Sequence, residues 1–131
     1  RAEIFKSEPW INCVLQKAAK ANIILFSVGE VSPSASLFKM GYLSNDELKR
    51  LREKGAVGDI LSRFFNAQGD LVDDEIHERV ISIPIDKLKN KDKIVIAIAG
   101  GPSKFDAIRG ALNGKYINVL ITDEETAEKL L

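Results

Sequence analysis

Residues 93–131 read KIVIAIAGGPSKFDAIRGALNGKYINVLITDEETAEKLL and decide the fold. An apolar, β-branched run opens this stretch, and a glycine-rich turn follows it directly. Apolar residues then recur at helical spacing until Gly114, which predicts the end of a helix. We predict, in order, a strand over 93–99, a turn over 100–103, a helix over 104–113, a strand over 117–121 and, after a Thr122–Glu125 capping box, a helix to Leu131. This βαβα order is typical of a parallel sheet with helices on its faces.

The residues before this stretch fit the same α/β class. A short apolar run at 23–28 predicts a parallel strand that ends at Gly29. Two apolar runs around the Asn66–Gly69 turn indicate a β-hairpin or an irregular ribbon. The remaining predictions are a helix capped by Ser7 with Pro9 in its first turn, a helix over 44–54 with a Ser44–Glu47 capping box, and a half-buried strand over 80–85. The predicted fold is a Rossmann-like, mostly parallel sheet with helices on both faces and a β-hairpin insertion.

Composition narrows the functional classes. The chain has 131 residues, of which 45% are hydrophobic and 29% are charged, so it fits one globular domain. Its 19 basic and 19 acidic side chains cancel, and no basic cluster with interleaved aromatics indicates a nucleic-acid surface. No apolar run is long enough for a membrane span, and no signal peptide is recognisable. The single cysteine, Cys13, favours a reducing, cytoplasmic location. Because the chain starts at Arg1, we expect a piece of a longer protein.

Three turns at predicted strand ends could hold a ligand, since open α/β sheets bind ligands at the carboxyl ends of their strands. They are Gly29, the Gly58-Asp59 pair, and the turn that contains Gly101, Ser103 and Lys104. Lys104 combines a full positive charge with the start of a helix, which favours an anion such as phosphate. A solvated lysine in a tight turn explains the same residues equally well.

Asp59 is the second candidate, because it lies between Gly58 and an apolar pair. It is either a turn-forming side chain or an acceptor for sugar hydroxyls, and spacing alone favours the turn. Lys39 is within reach of a phosphate, although a solvated lysine is the simpler interpretation. We interpret His77 as a solvated residue of a polar loop and Cys13 as a residue that packs in the core or near the surface. One histidine and one cysteine assemble no catalytic triad and no metal site, so no catalytic residue, metal or cofactor is predicted.

The motifs together resemble the SorC-type bacterial sugar-responsive transcriptional regulators. The resemblance covers nearly the whole chain and is specific in combination, although no single motif is. Its segments are Gly55–Ile60 with Arg63–Phe65 and Gln68-Gly69, Ala99–Lys104 with Ala107-Ile108 and Gly110–Leu112, and Asn118–Asp123 with Thr126-Ala127. Phe26–Gly29 fits the family's strand ending in G-x-G, except that Ser27 replaces the first glycine. Leu37–Tyr42 is most similar to the deoxyribonucleoside regulators of that family.

The resemblance implies a two-part regulator, with a helix-turn-helix DNA-binding domain before a Rossmann-like effector domain. Residues 1–131 would be roughly the C-terminal half of the effector domain, without the DNA-binding domain. Asp59 would contact the sugar, Lys104 a phosphate or sugar oxygen, and Lys39 would take the place of a basic residue. Gly29, Gly101 and Ser103 fall in the matching turns and complete the predicted effector site.

The expected function is therefore sensing rather than catalysis. A phosphorylated sugar would shift the arrangement of a homo-oligomer and, through the separate DNA-binding domain, its affinity for operator DNA. The alternative is a sugar-phosphate isomerase or deaminase of the same fold, because fold does not decide function. A purely structural oligomerisation module is a third interpretation.

Overall fold

The computed structural model describes residues 2–131, and a parallel sheet forms its centre. Strand β5 (Ile94–Ile98) lies between β1 (Ile23–Phe26) and β6 (Val119–Ile121), and both neighbours run parallel to it. Helix α5 (Phe105–Asn113) connects β5 to β6. The predicted βαβα unit and its parallel pairing are thus confirmed.

A second, antiparallel sheet holds the predicted hairpin. It contains β2 (Gly29–Glu30), β3 (Ala56–Ile60) and β4 (Arg63–Asn66), in that order. The connection between β3 and β4 is a two-residue turn at Leu61–Ser62, where φ is +53° and +61°. The hairpin is confirmed, but this turn precedes the expected one. Residues 66–69 also turn the chain, and bring Leu71 back against Phe65.

The remaining elements surround these two sheets. Among residues 2–131, no helix combines the length and the apolar character that crossing a membrane requires. The other helices are α1 (Ala2–Ser7), α2 (Pro9–Lys20), α3 (Ser36–Lys39), α4 (Asn45–Glu53) and α6 (Glu124–Leu130), and short 3-10 turns cover Glu75–Arg79, Ile85–Lys89 and Pro102–Lys104.

Two of the three predicted helix caps are present, and one of these two lies one residue later than predicted. At α4 the amide of Glu47 donates to the Ser44 hydroxyl and the Ser44 amide donates to the Glu47 carboxylate, which confirms that capping box. At α6 the capping residue is Asp123 rather than Thr122, because the Asp123 carboxylate accepts the Thr126 amide at 2.9 Å. The Ser7 prediction is wrong, since Ser7 ends α1 and its hydroxyl donates back to the carbonyl of Ile4.

The predicted strand over 80–85 is also wrong. Residues 80–84 are irregular, and a 3-10 turn begins at Ile85. Alternate residues do bury their side chains, since Ile83 and Ile85 are both in the core. The two isoleucines anchor a loop on the core. No strand in the described part of the chain pairs with residues 80–85, so they form no β-ladder.

Two apolar clusters lie on either side of the hairpin. The larger one joins α5 to the parallel sheet and contains Val28, Ile60, Phe65, Val95 and Ile108. The smaller one seats α4 and contains Leu48, Leu51, Phe64, Val72 and Ile76. Because β4 supplies Phe64 to one cluster and Phe65 to the other, the hairpin is the wall that both clusters share.

The parallel sheet has one covered and one bare face. Side chains of α2, α5 and α6 pack into the cluster on the covered face. The opposite face, called the bare face below, presents aliphatic side chains that are 40–62% exposed. They are Ile23, Leu25, Ile94, Ile98, Val119 and Ile121. Parallel sheets of α/β proteins bury both faces, so the second helical layer of the predicted architecture would lie here.

Candidate functional site

A cavity of about 350 Å³ lies at the carboxyl ends of β1, β5 and β6. Its polar lining consists of Ser27, Lys104, Thr122 and Asp123, with the backbone of Gly100 between them. This is the sheet edge at which the sequence predicts a ligand, and three strands contribute to it.

Lys104 reaches into this cavity from the turn between β5 and α5. It ends the Pro102–Lys104 3-10 turn, and its ammonium donates to the Ser27 hydroxyl at 3.4 Å. The charge of Lys104 also acts on Asp59, whose pKa it lowers. Lys104 is half-buried as a residue, and among residues 2–131 its ammonium makes one long hydrogen bond, to a neutral hydroxyl, so it keeps donors for an oxygen-rich anion.

Asp59, on β3, pairs with Gly29 in the antiparallel sheet and is not among the residues that line the cavity. Its carboxylate lies directly over Gly29, where a Cβ would come within 1.9 Å of Oδ1, so a larger residue at position 29 would displace it. Oδ2 accepts the Ser62 amide at 3.1 Å. Burial raises the pKa of Asp59 to about 6, although the Ser62 hydrogen bond and the charge of Lys104 oppose the increase. The turn-forming role and the position beside Lys104 therefore coexist in one side chain.

Gly101 has a structural task in the turn. Its φ of +92° is a conformation that favours glycine, and its amide donates to Asp123 Oδ2 at 2.7 Å. Asp123 also caps α6, and its hydrogen bonds, chiefly with Thr126 and Gly101, lower its pKa to about 2. The turn after β5 is thus tied to the start of α6, with the Gly101 amide already occupied.

Ser103 and Glu30 form the outer rim of the site. The Ser103 hydroxyl lies 3.4 Å from Glu30 Oε1, and the Ser34 hydroxyl lies at the same distance from that oxygen. Sequence reasoning did not select Glu30, although an acid directly after Gly29 at a strand end was a usable signal. Asp123 was missed in the same way, because it was considered only as part of a capping box.

Lys39 is not joined to this group by the contacts described here. It lies exposed at the end of α3, and none of the side-chain hydrogen bonds or ion pairs described for residues 2–131 involves it. The structure therefore places Gly101, Ser103 and Lys104 in the turn after β5, and Gly29 and Asp59 in the neighbouring antiparallel sheet. The binding roles of these residues, like that of Lys39, stay predictions.

The structure differs from the sequence-based interpretation of two residues, His77 and Cys13. His77 is not a solvated loop residue: it is half-buried in a 3-10 turn, its Nε2 accepts the Phe64 amide at 2.9 Å, and its ring stacks on Phe64. Cys13 does not pack in the core, because it is exposed on α2. Within residues 2–131, no group of His, Cys, Asp and Glu side chains is arranged to hold a metal ion.

A larger cavity, of about 670 Å³, lies on the other side of the β3–β4 turn. Leu37, Tyr42, Leu43, Phe64 and Ile76 give it a mainly apolar wall, and Arg79 is its one charged side chain. We place the site at the smaller cavity, because there polar groups from several strand ends converge.

Comparisons with known proteins identify the family of this chain. All of residues 1–131 match the model of a family described as "Putative sugar-binding domain". The deoxyribonucleoside regulator of Bacillus subtilis is 45% identical over 92% of this chain, and the transcriptional regulator LsrR of an Enterobacter species is 40% identical over 99%. These alignments span 38% and 41% of the two relatives, so the chain corresponds to less than half of each.

Solved structures show the same fold. A DeoR family transcriptional regulator from Listeria monocytogenes superposes with a TM-score of 0.93, at 31% identity, over 99% of this chain and 52% of the other. The full-length sorbitol operon regulator SorC from Klebsiella pneumoniae gives 0.87, at 30% identity, over 98% of this chain and 42% of the other. These four relatives are named as regulators, and none of the names is that of an enzyme. The chain belongs to the family of sugar-binding domains found in SorC-type transcriptional regulators.

Proposed function

We propose that this chain is the effector-sensing part of a sugar-responsive regulator, and that a phosphorylated sugar binds at the strand-end site. The observation that supports this most is the position of Lys104 at the strand-end cavity, where its ammonium donates to Ser27 and its charge acts on the Asp59 carboxylate. The ammonium suits a phosphate or sugar oxygen, and the carboxylate suits sugar hydroxyls. A sugar phosphate presents both kinds of group within one small molecule.

The carboxylates favour the sugar over a free anion. Asp59 and Glu30 lie close to Lys104 and its turn, and both repel a ligand that is only negative. A ligand that donates hydroxyl groups to these carboxylates and offers one anionic group to Lys104 satisfies all three side chains.

We further propose that the chain is roughly the C-terminal half of an effector domain. It spans about two fifths of the curated relatives, and the bare face of its sheet needs a covering layer. DNA binding would belong to a separate helix-turn-helix domain, because this chain has no net charge. Effector binding would then favour one arrangement of a homo-oligomer and change its operator affinity in the cytoplasm.

The first test replaces Lys104 with alanine in the full-length protein. We expect the affinity for a sugar phosphate, such as 2-deoxyribose 5-phosphate, to fall by about 1.5–3 kcal/mol, as for a lost hydrogen bond to a charged group. Isothermal titration calorimetry measures this loss. Lys91→Ala is the matched control, because Lys91 is exposed and precedes β5, at the opposite edge of the sheet. Equal affinities of wild type and Lys104→Ala would reject the site.

The second test addresses Asp59. The Asp59→Asn variant keeps an acceptor for the Ser62 amide but loses the charge, so we expect normal folding with less discrimination between the sugar phosphate and inorganic phosphate. Calorimetry with both ligands measures the ratio of affinities. A lower melting temperature with unchanged discrimination would show that Asp59 only forms the turn.

One observation favours the enzymatic alternative and deserves its own test. A carboxyl with a pKa of about 6 beside a lysine is poised for proton transfer in an isomerase or deaminase. The regulator relatives argue against catalysis, and we expect no turnover of any phosphosugar by the purified full-length protein. Measurable isomerisation or deamination that is lost in Asp59→Asn would replace the sensor proposal.

A further inference from the structure

The turn between β3 and β4 is held in a conformation that its own residues do not favour. Leu61 and Ser62 both have positive φ in a two-residue hairpin loop, which is the geometry that Asn-Gly or Gly-Gly normally occupies. Leucine in the left-handed region is disfavoured because its Cβ crowds the backbone. Contacts outside the loop must therefore stabilise this turn.

Two such contacts are present. Asp59 Oδ2 accepts the Ser62 amide at 3.1 Å, and the Ser82 hydroxyl donates to the Leu61 carbonyl at 3.2 Å. The first ties the turn to the strand-end site, since the same carboxylate lies over Gly29 and close to Lys104. The second ties the turn to the segment that includes Arg79, which bonds Glu47 of α4 at 3.0 Å.

The Asp59 carboxylate has acceptor capacity beyond the turn. The Ser62 amide is its one hydrogen bond among the described residues, and a carboxylate accepts about four. A sugar hydroxyl donating to the open lone pairs would fix the orientation of the carboxylate without displacing the Ser62 amide. An unfixed carboxylate, in contrast, leaves the strained turn with a weaker external support.

We propose that Asp59 links occupation of the strand-end site to the Leu61–Ser62 turn, so that a bound sugar locks the turn in its left-handed conformation. The proposal rests on the proposed function, because it requires the sugar to engage Asp59. It adds a mechanism of response. Ligand binding would change the turn, and the Ser82–Leu61 hydrogen bond would pass this change to the segment that contacts α4 through Arg79 and Glu47. The larger cavity shares this turn as one of its walls, so its shape would follow the same change.

Hydrogen exchange of the Ser62 and Arg63 amides in the full-length protein tests this link. With saturating 2-deoxyribose 5-phosphate we expect exchange to slow by at least about fivefold, and with inorganic phosphate we expect little change. The control variant is Leu61→Asn/Ser62→Gly. Asn-Gly favours positive φ at both positions, so this loop should form the same turn without help from Asp59. Its amides should be protected already without ligand and gain little more on binding.

The Asp59→Ala variant provides a ligand-free arm. We expect the turn amides to exchange faster than in wild type, and the Leu61→Asn/Ser62→Gly change to restore protection in that background. If the sugar phosphate binds by calorimetry while turn exchange stays unchanged, the link is overturned and the proposed function stands. If the sugar phosphate does not bind, both are overturned.

Discussion

At the scale of single residues, Asp74 is the side chain on which the smaller cluster depends. Its carboxylate is fully buried and accepts from Arg50 at 2.8 and 3.0 Å, from Lys54 at 3.0 Å and from the Ile76 amide at 3.0 Å. The hydrogen bonds from Arg50 hold the pKa of Asp74 well below its usual range. The carboxylate thus joins α4 to the 3-10 turn that it also caps.

Asp74→Ala should destabilise the protein by about 3 kcal/mol, because it leaves two cations and an amide without their shared partner. Urea unfolding at pH 7 measures the change. Asp73→Ala is the control, since this neighbour is exposed and should cost less than about 0.5 kcal/mol. The difference in unfolding free energy between Asp74→Ala and wild type should shrink below about pH 4. There the unfolded chain takes up a proton on Asp74 more readily than the folded protein, whose Asp74 pKa is lowered. A cost equal to that of Asp73→Ala would contradict the structural role.

His77 predicts a pH dependence in a different window. Burial, assisted by the charge of Arg63, lowers its pKa, and its Nε2 accepts the Phe64 amide only in the neutral ring. The unfolded chain binds the proton more readily, so stability is present at neutral pH and falls as pH drops below about 6.5. His77→Gln keeps an acceptor without titrating, and its unfolding free energy should change less between pH 7 and 5.

The comparison of wild type with His77→Gln isolates this effect. Asp59 also titrates near pH 6, but its raised pKa acts in the opposite sense, since the folded protein gains stability as that carboxyl takes up a proton. Because both proteins contain Asp59, its contribution cancels in the difference. Parallel pH profiles would show that the Phe64–His77 hydrogen bond does not contribute.

At the scale of elements, Gly69 lets the turn at residues 66–69, which follows β4, pack closely against the end of α5. Its φ is +87°, and a Cβ there would lie 2.2 Å from the Cα of Gly114. Gly69→Ala should therefore destabilise by about 3 kcal/mol or more, through backbone strain plus a clash with fixed main chain. Gly41→Ala is the control: its φ is +78° but the space around it is open, so only the conformational cost of about 1 kcal/mol applies. Thermal unfolding of both variants checks the ranking.

Sequence patterns predicted the elements whose signals are local. The Ser44–Glu47 box and the helix ended by Gly114 were recognisable because their partners lie within a few residues of each other. Strand β5 was recognisable because its apolar residues form one continuous run. The strand over 80–85 failed because alternation of buried residues does not supply a neighbouring strand. The β3–β4 turn was misplaced because Leu61 and Ser62 lack turn chemistry and depend on contacts from Asp59 and Ser82.

The turn that carries Lys104 was predictable from the sequence, but the hydrogen bonds around it were not. Lys104 follows β5 of the parallel sheet, as that topology predicts, whereas Gly29 and Asp59 are paired in the neighbouring antiparallel sheet. That the Gly101 amide is occupied by Asp123, 22 residues away, depends on how two loops pack. His77 was misjudged for the same reason, since its partner Phe64 lies 13 residues earlier in another element.

At the scale of the whole molecule, one substitution on the bare face should have different effects in the isolated chain and in the full-length protein. Leu25 lies on this face and is 62% exposed in the chain described here. Leu25→Gln should therefore leave the stability of the isolated chain nearly unchanged and reduce its self-association, because it interrupts an exposed apolar patch. In the full-length protein the same side chain would be covered, and the substitution should cost about 1.5–3 kcal/mol of unfolding free energy.

Light scattering on the isolated chain and urea unfolding of the full-length protein measure the two effects. Met40→Gln is the control, because Met40 is also largely exposed, at 68%, but lies after α3, outside the parallel sheet. It should change neither quantity by much. A monomeric isolated chain, together with a full-length protein that Leu25→Gln does not destabilise, would show that nothing covers the sheet. The chain would then be a complete folding unit, contrary to the proposal that it is half of a domain.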